Sequence, residues 1–263
     1  MTTSYIQFHL AFVVPALLAV VVATWLRDRS AWRRTLGLGT PIVIVLAVAY
    51  TTPWDNYLVA RRVWWYGDQT VLARIWWAPI EEYAFFVFQS LLTALWLGNL
   101  DLTDVTDVSV SRPARVGGVV VAVALGALGV VAILAGPKLL YLGAIVAWAA
   151  PVFAVQWAFG WPVLARARRT VLAGVLVPTL YLCVADRIAI EAGIWILSPT
   201  YTTGVAVLGL PIEEALFFLV TNLFVVQGLV LLRWALAAPS VAVPAVVRRY
   251  LPTVEELGAV VPR

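Results

Sequence analysis

Two adjacent glutamates recur at the start of two apolar stretches of this chain. The sequence Pro-Ile-Glu-Glu occupies positions 79–82 and again 211–214, and in each copy two further residues separate it from Phe-Phe. A charged side chain within hydrocarbon costs about 2.5–3.5 kcal/mol even on the mildest scale, so acidic residues there usually face a protein interior and mark function. Carboxyl groups in such a place can donate and accept protons. The candidate catalytic residues are therefore Glu81, Glu82, Glu213 and Glu214.

Helical spacing places further residues on the same face as the second glutamate of each pair. Positions three, four or seven residues apart lie on one side of a helix. Glu82 and Glu214 would thus each begin a polar and aromatic stripe. The candidate substrate-binding residues on these helices are Phe85, Phe86, Gln89, Phe217, Phe218 and Thr221, together with Asn222, which lies one step round the helix.

Two aspartates and two tryptophans correspond at one and the same spacing along the chain. Asp55 matches Asp186, and Trp64 matches Trp195. Helix capping or an ion pair explains either aspartate alone equally well, but their correspondence favours a catalytic role for both. An interfacial aromatic belt explains most tryptophans here. We expect Trp64 and Trp195 to face the site, because aromatic π-faces stabilise cations.

Composition indicates a polytopic membrane protein. The 263 residues are 63% hydrophobic and only 12% charged, with a mean hydropathy of +0.94. One cysteine (Cys183) and one histidine (His9) cannot form a thiolate or imidazole metal cage, so no metal is expected. Gly37-Leu38-Gly39 lacks the third glycine of a dinucleotide-binding motif, and no bound cofactor is expected either. The net charge of +4 comes from short loops beside apolar stretches, which argues against nucleic acid as a partner.

Seven segments are long enough to cross the roughly 30 Å hydrocarbon core. They cover residues 5–26, 36–54, 77–97, 116–135, 139–161, 171–189 and 206–232. With the N-terminus outside, thirteen of the eighteen Lys and Arg residues fall on the cytoplasmic side, which the positive-inside rule favours. We expect a multi-pass protein of the cell membrane with a cytoplasmic C-terminus.

The two halves of the chain align beyond the glutamates. Arg33-Arg34-Thr35 matches Arg168-Arg169-Thr170 at nearly the spacing that separates the two glutamate pairs. This predicts an all-α fold of three spans, one connecting span and three spans, in which both copies run in the same direction. The predicted parts are a first repeat at 1–100, a connector at 101–136, a second repeat at 137–236 and a cytoplasmic tail at 237–263. The two glutamate pairs would then face one cavity.

Helix capping and solvation could account for parts of these motifs. Pro79 and Pro211 suit the first turn of a helix, where glutamates also gain from the helix dipole, so one glutamate of each pair could be structural. Three aspartates spaced by three, at positions 101, 104 and 107, look like a diphosphate-binding motif, but a solvated loop explains them better.

The chain resembles the membrane-integral, flavin-free lycopene β-cyclases of archaea, bacteria and fungi. The resemblance covers nearly the whole chain and rests on PWDNY at 53–57, WWY at 64–66, PIEEY at 79–83, DRIAI at 186–190 and PIEE at 211–214. It implies a lipophilic carotenoid substrate, lycopene, drawn from the lipid bilayer. It also implies a redox-neutral isomerisation: an acid protonates C2 of a ψ end group, C5=C6 attacks the C1 cation, and loss of the C6 proton leaves a β-ring. Two such events would convert lycopene through γ-carotene to β-carotene.

The sequence also fits other functions. A cyclase of another terpenoid or of C50 carotenoids would use similar helices. A small transporter of the SWEET type has the same arrangement of spans. However, these helices carry few of the mid-membrane polar residues that transport of a polar solute needs.

Overall fold

The computed structural model describes residues 4–27, 30–101 and 103–237. Within these ranges, seven helices are long and apolar enough to cross a membrane, as predicted. They are α1 Tyr5–Leu26, α2 Ser30–Ala60, α3 Ile80–Gly98, α4 Arg112–Ala135, α5 Leu140–Arg166, α6 Arg168–Glu191 and α7 Ile212–Ala237. The predicted tail after position 237 lies outside the described residues.

The helices that begin with the glutamate pairs occupy the centre of the bundle. Helix α3 packs against α1, α2, α6 and α7, and α7 packs against α2, α3, α5 and α6. Helix α4 is peripheral and lies along α5, where a Cβ atom at Gly129 would come within 2.5 Å of the backbone nitrogen of Ala147. Glycine permits this close approach of two helices.

Short strands connect the helices at the end where the glutamates lie. Strand β1 (Trp64–Tyr66) pairs antiparallel with β4 (Trp195–Leu197). The hairpins β2 (Arg74–Ile75) with β3 (Ala78–Pro79) and β5 (Ala206–Val207) with β6 (Leu210–Pro211) lead directly into α3 and α7. These strands bring the two loops together above the helices.

The hairpins correct two predicted boundaries. Hydropathy predicts the third and seventh spans from positions 77 and 206, but the helices begin at Ile80 and Ile212. The hairpin residues from positions 77 and 206 onward are uncharged and mostly apolar, so hydropathy alone extends the span over them. In the second hairpin, Leu208 and Gly209 both have positive φ, which fits a tight turn between two strands.

Two groups of buried side chains fill the bundle. The group at the glutamate end is rich in aromatic residues, including Trp64, Trp195 and Phe218. The other group is mainly aliphatic and surrounds Trp32 and Trp234. Aromatic packing is thus concentrated where the carboxyl groups lie.

Candidate active site

One cavity at the glutamate end receives side chains from both halves of the chain. The space between its lining atoms, together with the open solvent at its mouth, is about 560 Å³. The lining residues are Tyr5, Phe8, Trp54, Asp55, Trp64, Tyr66, Glu82, Phe85, Tyr141, Leu182, Asp186, Trp195, Glu214, Phe217 and Phe218. Four carboxyl groups therefore share an otherwise largely aromatic chamber.

Only the second glutamate of each pair lines this cavity. Glu81 accepts a hydrogen bond from the backbone N–H of Leu72 at 2.8 Å, and Glu213 accepts one from the N–H of Thr203 at 2.6 Å. Both side chains are buried and tie the preceding loop to the start of its helix. The structure therefore separates two glutamates that hold loops from two that face the chamber, Glu82 and Glu214.

Tyrosines hold the glutamates that face the cavity. The hydroxyls of Tyr5 and Tyr66 lie 2.8 and 3.0 Å from Oε2 of Glu82. Tyr141 is the hydrogen-bond partner of Glu214. Because Tyr5 and Tyr141 lie near the starts of α1 and α5, the site depends on helices that carry none of the predicted catalytic residues.

The two aspartates lie inside helices rather than at their ends. Asp55 is in α2 and Asp186 in α6, five residues before each helix ends, and both are 2% exposed. Arg187 pairs with Glu191 at 2.9 Å and not with Asp186, so neither capping nor that ion pair explains the aspartates. Oδ2 of each aspartate has no hydrogen-bond partner among the described residues.

Trp195 fixes the other oxygen of Asp186. Its Nε1 donates a hydrogen bond to Oδ1 of Asp186 at 3.0 Å. The corresponding Trp64 instead donates to the hydroxyl of Tyr66 at 3.3 Å. Within the described residues, no three His, Cys, Asp or Glu side chains are grouped so that they could hold a metal ion.

Aromatic rings form much of the cavity wall. Trp54 and Phe217 are parallel, with ring centroids 5.8 Å apart and 4° between their planes. Phe85 and Phe218 meet edge to face at 6.1 Å. A cation in this chamber would lie close to several π-faces, which attract positive charge.

The polar stripes of α3 and α7 bind each other below the cavity. Gln89 donates a hydrogen bond to Thr221 at 2.5 Å, and Thr93 donates one to Asn222 at 2.6 Å. Asn222 also donates to Thr179 in α6 at 2.9 Å. Gln89, Thr221, Asn222 and Phe86, all expected to bind substrate, thus lie outside the cavity lining. The first three join neighbouring helices through these hydrogen bonds.

Sequence reasoning missed several lining residues. Tyr5, Tyr141 and Trp54 look like ordinary residues of membrane spans, and Tyr66 falls among the interfacial aromatics. The spacing between Tyr5 and Tyr141 is close to the spacing between the two arginine motifs. Extending the alignment of the halves to the start of the chain would have identified this pair.

The aspartate-rich loop between α3 and α4 is separate from the cavity. Asp104 accepts hydrogen bonds from the backbone N–H and the hydroxyl of Thr106, which lower the pKa of its carboxyl. Asp101, Asp104 and Asp107 are all exposed. This agrees with the expected solvated loop.

Comparison with known proteins identifies the family. A family model described as Lycopene cyclase matches residues 4–98 and 120–231. The "Lycopene beta-cyclase" of Halobacterium salinarum (strain R1) is 53% identical over 240 residues, which cover 90% of this chain and 99% of that protein. The "Bifunctional lycopene cyclase/phytoene synthase" of Aspergillus oryzae is 30% identical over 90% of this chain and 41% of its own length. No solved structure matches significantly. The chain belongs to the lycopene cyclase family.

Proposed function

We propose that this protein is a lycopene β-cyclase, which closes the ψ end groups of lycopene into β-rings without net oxidation or reduction. One observation carries the proposal: carboxyl groups from both halves of the chain line a single aromatic cavity. The name and high identity of the archaeal relative support the same activity. The reaction would proceed from lycopene through γ-carotene to β-carotene.

The cyclisation needs an acid and a base in a place that holds a carbocation. Glu82 and Glu214 are the proposed proton-transfer groups because they face the cavity. Asp55 and Asp186 are proposed to pass protons between them, since each lines the cavity and has one oxygen without a partner among the described residues. Glu81 and Glu213 are assigned to holding the loops. A general acid or base in such a position typically raises the reaction rate by about 10²–10⁴-fold.

The substrate is proposed to enter from the bilayer. An end group of lycopene is apolar, and the aromatic walls would hold it while excluding water from the cation. Trp64, Trp195, Phe85, Phe217 and Phe218 are the predicted substrate-binding residues that also line the cavity.

The proposed architecture is two parallel repeats of three spans joined by α4. The β1–β4 register supports it: Trp64 pairs with Leu197 and Tyr66 pairs with Trp195, as a twofold relation between the loops requires. Matching backbone hydrogen bonds add support. The N–H of Tyr5 bonds to the oxygen of Thr70, and the N–H of Tyr141 bonds to the oxygen of Tyr201.

The proposed orientation puts the N-terminus and the cavity near the outer surface of the cell membrane. The distribution of Lys and Arg supports it, because thirteen of eighteen then lie inside. Tagging the loop between α3 and α4 and the loop between β1 and β2 with reporters for each side tests this directly.

Expression in a lycopene-accumulating host tests the function. The proposal predicts that the red pigment is replaced by β-carotene, identified by chromatography against standards. Unchanged lycopene, with the protein present in the membrane, would contradict it. Rings other than β would instead support a related cyclase.

A further inference from the structure

A chain of hydrogen bonds points towards one of the two glutamates that face the cavity. Nε1 of Trp64 lies 3.3 Å from the hydroxyl of Tyr66, and this hydroxyl lies 3.0 Å from Oε2 of Glu82. An indole N–H can only donate, so the Tyr66 oxygen accepts from Trp64 and its own proton points to Glu82. Burial raises the pKa of Tyr66 well above its ordinary value, which keeps that proton on the phenol.

Glu82 is thereby held as an acceptor. The hydroxyl of Tyr5 lies 2.8 Å from the same Oε2 atom, so two phenols converge on one oxygen. The hydrogen bond from Tyr66 to Glu82 has a fixed direction because Trp64 occupies the other side of the Tyr66 hydroxyl. Oε1 is then the oxygen of Glu82 left to take up a proton.

The described part of the second half, up to residue 237, lacks this arrangement. Leu197 follows Tyr66 at the same spacing that separates Trp64 from Trp195, and its side chain carries no hydroxyl. Trp195 donates to Asp186 instead of to a tyrosine. Tyr141 is the hydrogen-bond partner of Glu214, in the place that Tyr5 takes beside Glu82. The two halves therefore hold their cavity-facing glutamates differently.

From this asymmetry, and resting on the proposed function, we infer that Tyr66 is a positioning residue that commits Glu82 to the role of base, while Glu214 is the acid. Glu214 gives its proton to C2, and the C1=C2 electron pair forms the new C2–H bond. The C5=C6 pair then forms the C1–C6 bond, which leaves a cation at C5. Glu82 takes the C6 proton, and the C6–H electron pair becomes C5=C6 of the β-ring.

The position of the base decides which ring forms. Loss of a proton from C4 would give an ε-ring, and loss from the C5 methyl would give a γ-ring with an exocyclic double bond. A displaced Glu82 would let these losses compete with loss from C6. The acid acts before this branch point, so slower protonation lowers the yield without changing the ring type.

The test is the ring composition of the products made from lycopene by Tyr66→Phe. Loss of a hydrogen bond to a charged group changes a rate by about tenfold or more. We expect the ratio of ε- and γ-rings to β-rings to rise by about tenfold or more over wild type. Trp64→Phe should shift the ratio in the same direction by a smaller factor. The control is Tyr57→Phe, which removes a hydroxyl from the exposed side of α2 and should leave the ratio unchanged.

Glu214→Asp supplies the opposite test. It should lower the total yield of rings by about tenfold or more while β-rings still dominate. A lower yield from Tyr66→Phe with the wild-type ring ratio would overturn the inference, and so would a changed ratio in Glu214→Asp. Because the ratio is independent of the amount of folded protein, poor insertion cannot mimic a changed ratio. The yield from Glu214→Asp is therefore measured per amount of protein in the membrane, so that poor insertion cannot mimic a slower protonation. If the proposed function itself is wrong, the result differs from both of these, because the wild type would then form no rings from lycopene.

Discussion

The hydroxyl of Tyr5 lies 2.8 Å from Oε2 of Glu82, although 77 positions separate the two residues in sequence. The backbone N–H of Tyr5 also bonds to the oxygen of Thr70 at 2.8 Å, which fixes the start of α1 against the loop before α3. The first turn of the first span therefore belongs to the site.

Removing the Tyr5 hydroxyl should slow cyclisation. We expect Tyr5→Phe to reduce β-carotene formation by about tenfold or more, because a hydrogen bond to a charged group contributes about 1.5–3 kcal/mol. The measurement is the rate of pigment formation per amount of protein in isolated membranes. Tyr181→Phe is the control, since it removes a hydrogen bond from Tyr181 to the backbone of α1 away from the cavity. Equal rates in both variants would contradict the role of Tyr5.

The first glutamate of each pair should matter for stability more than for chemistry. Glu81→Ala leaves the N–H of Leu72 without its acceptor and should destabilise the protein by about 1–3 kcal/mol. Glu81→Gln keeps an oxygen acceptor for this N–H and should destabilise the protein less. Thermal unfolding in detergent measures both, and cyclisation per folded molecule should stay within a few-fold of wild type. Complete loss of cyclisation in folded Glu81→Gln would contradict this prediction and indicate that Glu81 takes part in catalysis.

Asn222 should act as a link between helices. Asn222→Ala removes the partner of both Thr93 and Thr179, and such bonds contribute on average about 0.6 kcal/mol each within a membrane. We expect a lower melting temperature and an unchanged affinity for lycopene. Thr106→Ala, in the exposed loop between α3 and α4, is the control that should leave the melting temperature unchanged. A weaker affinity without a change in melting temperature would show that Asn222 contacts substrate.

The ring of Phe217 should stabilise the cationic intermediate. Phe217→Leu keeps an apolar side chain but removes the π-face beside Trp54, a loss of about 1–2 kcal/mol, or roughly 5- to 30-fold in rate. Phe159→Leu makes the same change against Trp234, in the second, mainly aliphatic group of buried side chains, and serves as the control. If both variants cyclise lycopene at the same rate, the prediction that the ring of Phe217 stabilises the cation is wrong.

The membrane helices and the glutamate motif could be predicted from sequence because they are local patterns. Hydropathy over about twenty residues gives all seven spans, and helical spacing predicts a polar stripe on each helix that begins with a glutamate pair. The sequence does not show which groups the polar residues of each stripe contact. The side chains of Gln89 in α3 and Thr221 in α7 form a hydrogen bond with each other. That contact can be seen only once α3 is packed against α7.

Which glutamate of each pair faces the cavity could also be seen only in the structure. Glu81 and Glu82 are adjacent in sequence and point in different directions, one to a loop N–H and one to the cavity. The hairpins next to those N–H groups consist largely of apolar residues and look like parts of the spans. Tyr141 lacked a local motif, and its role follows from where α5 lies beside Glu214.

The most direct measurement of the central idea, that carboxyl groups in the cavity give and take the protons of cyclisation, is the pigment made from lycopene by Glu82→Gln and Glu214→Gln. Each change keeps the size of the side chain and removes its acid function. We predict a loss of ring formation of about 10²–10⁴-fold in both variants, with normal insertion into the membrane. Glu191→Gln, at an exposed glutamate paired with Arg187, should form β-carotene like the wild type. Undiminished β-carotene from Glu82→Gln and Glu214→Gln would contradict the account.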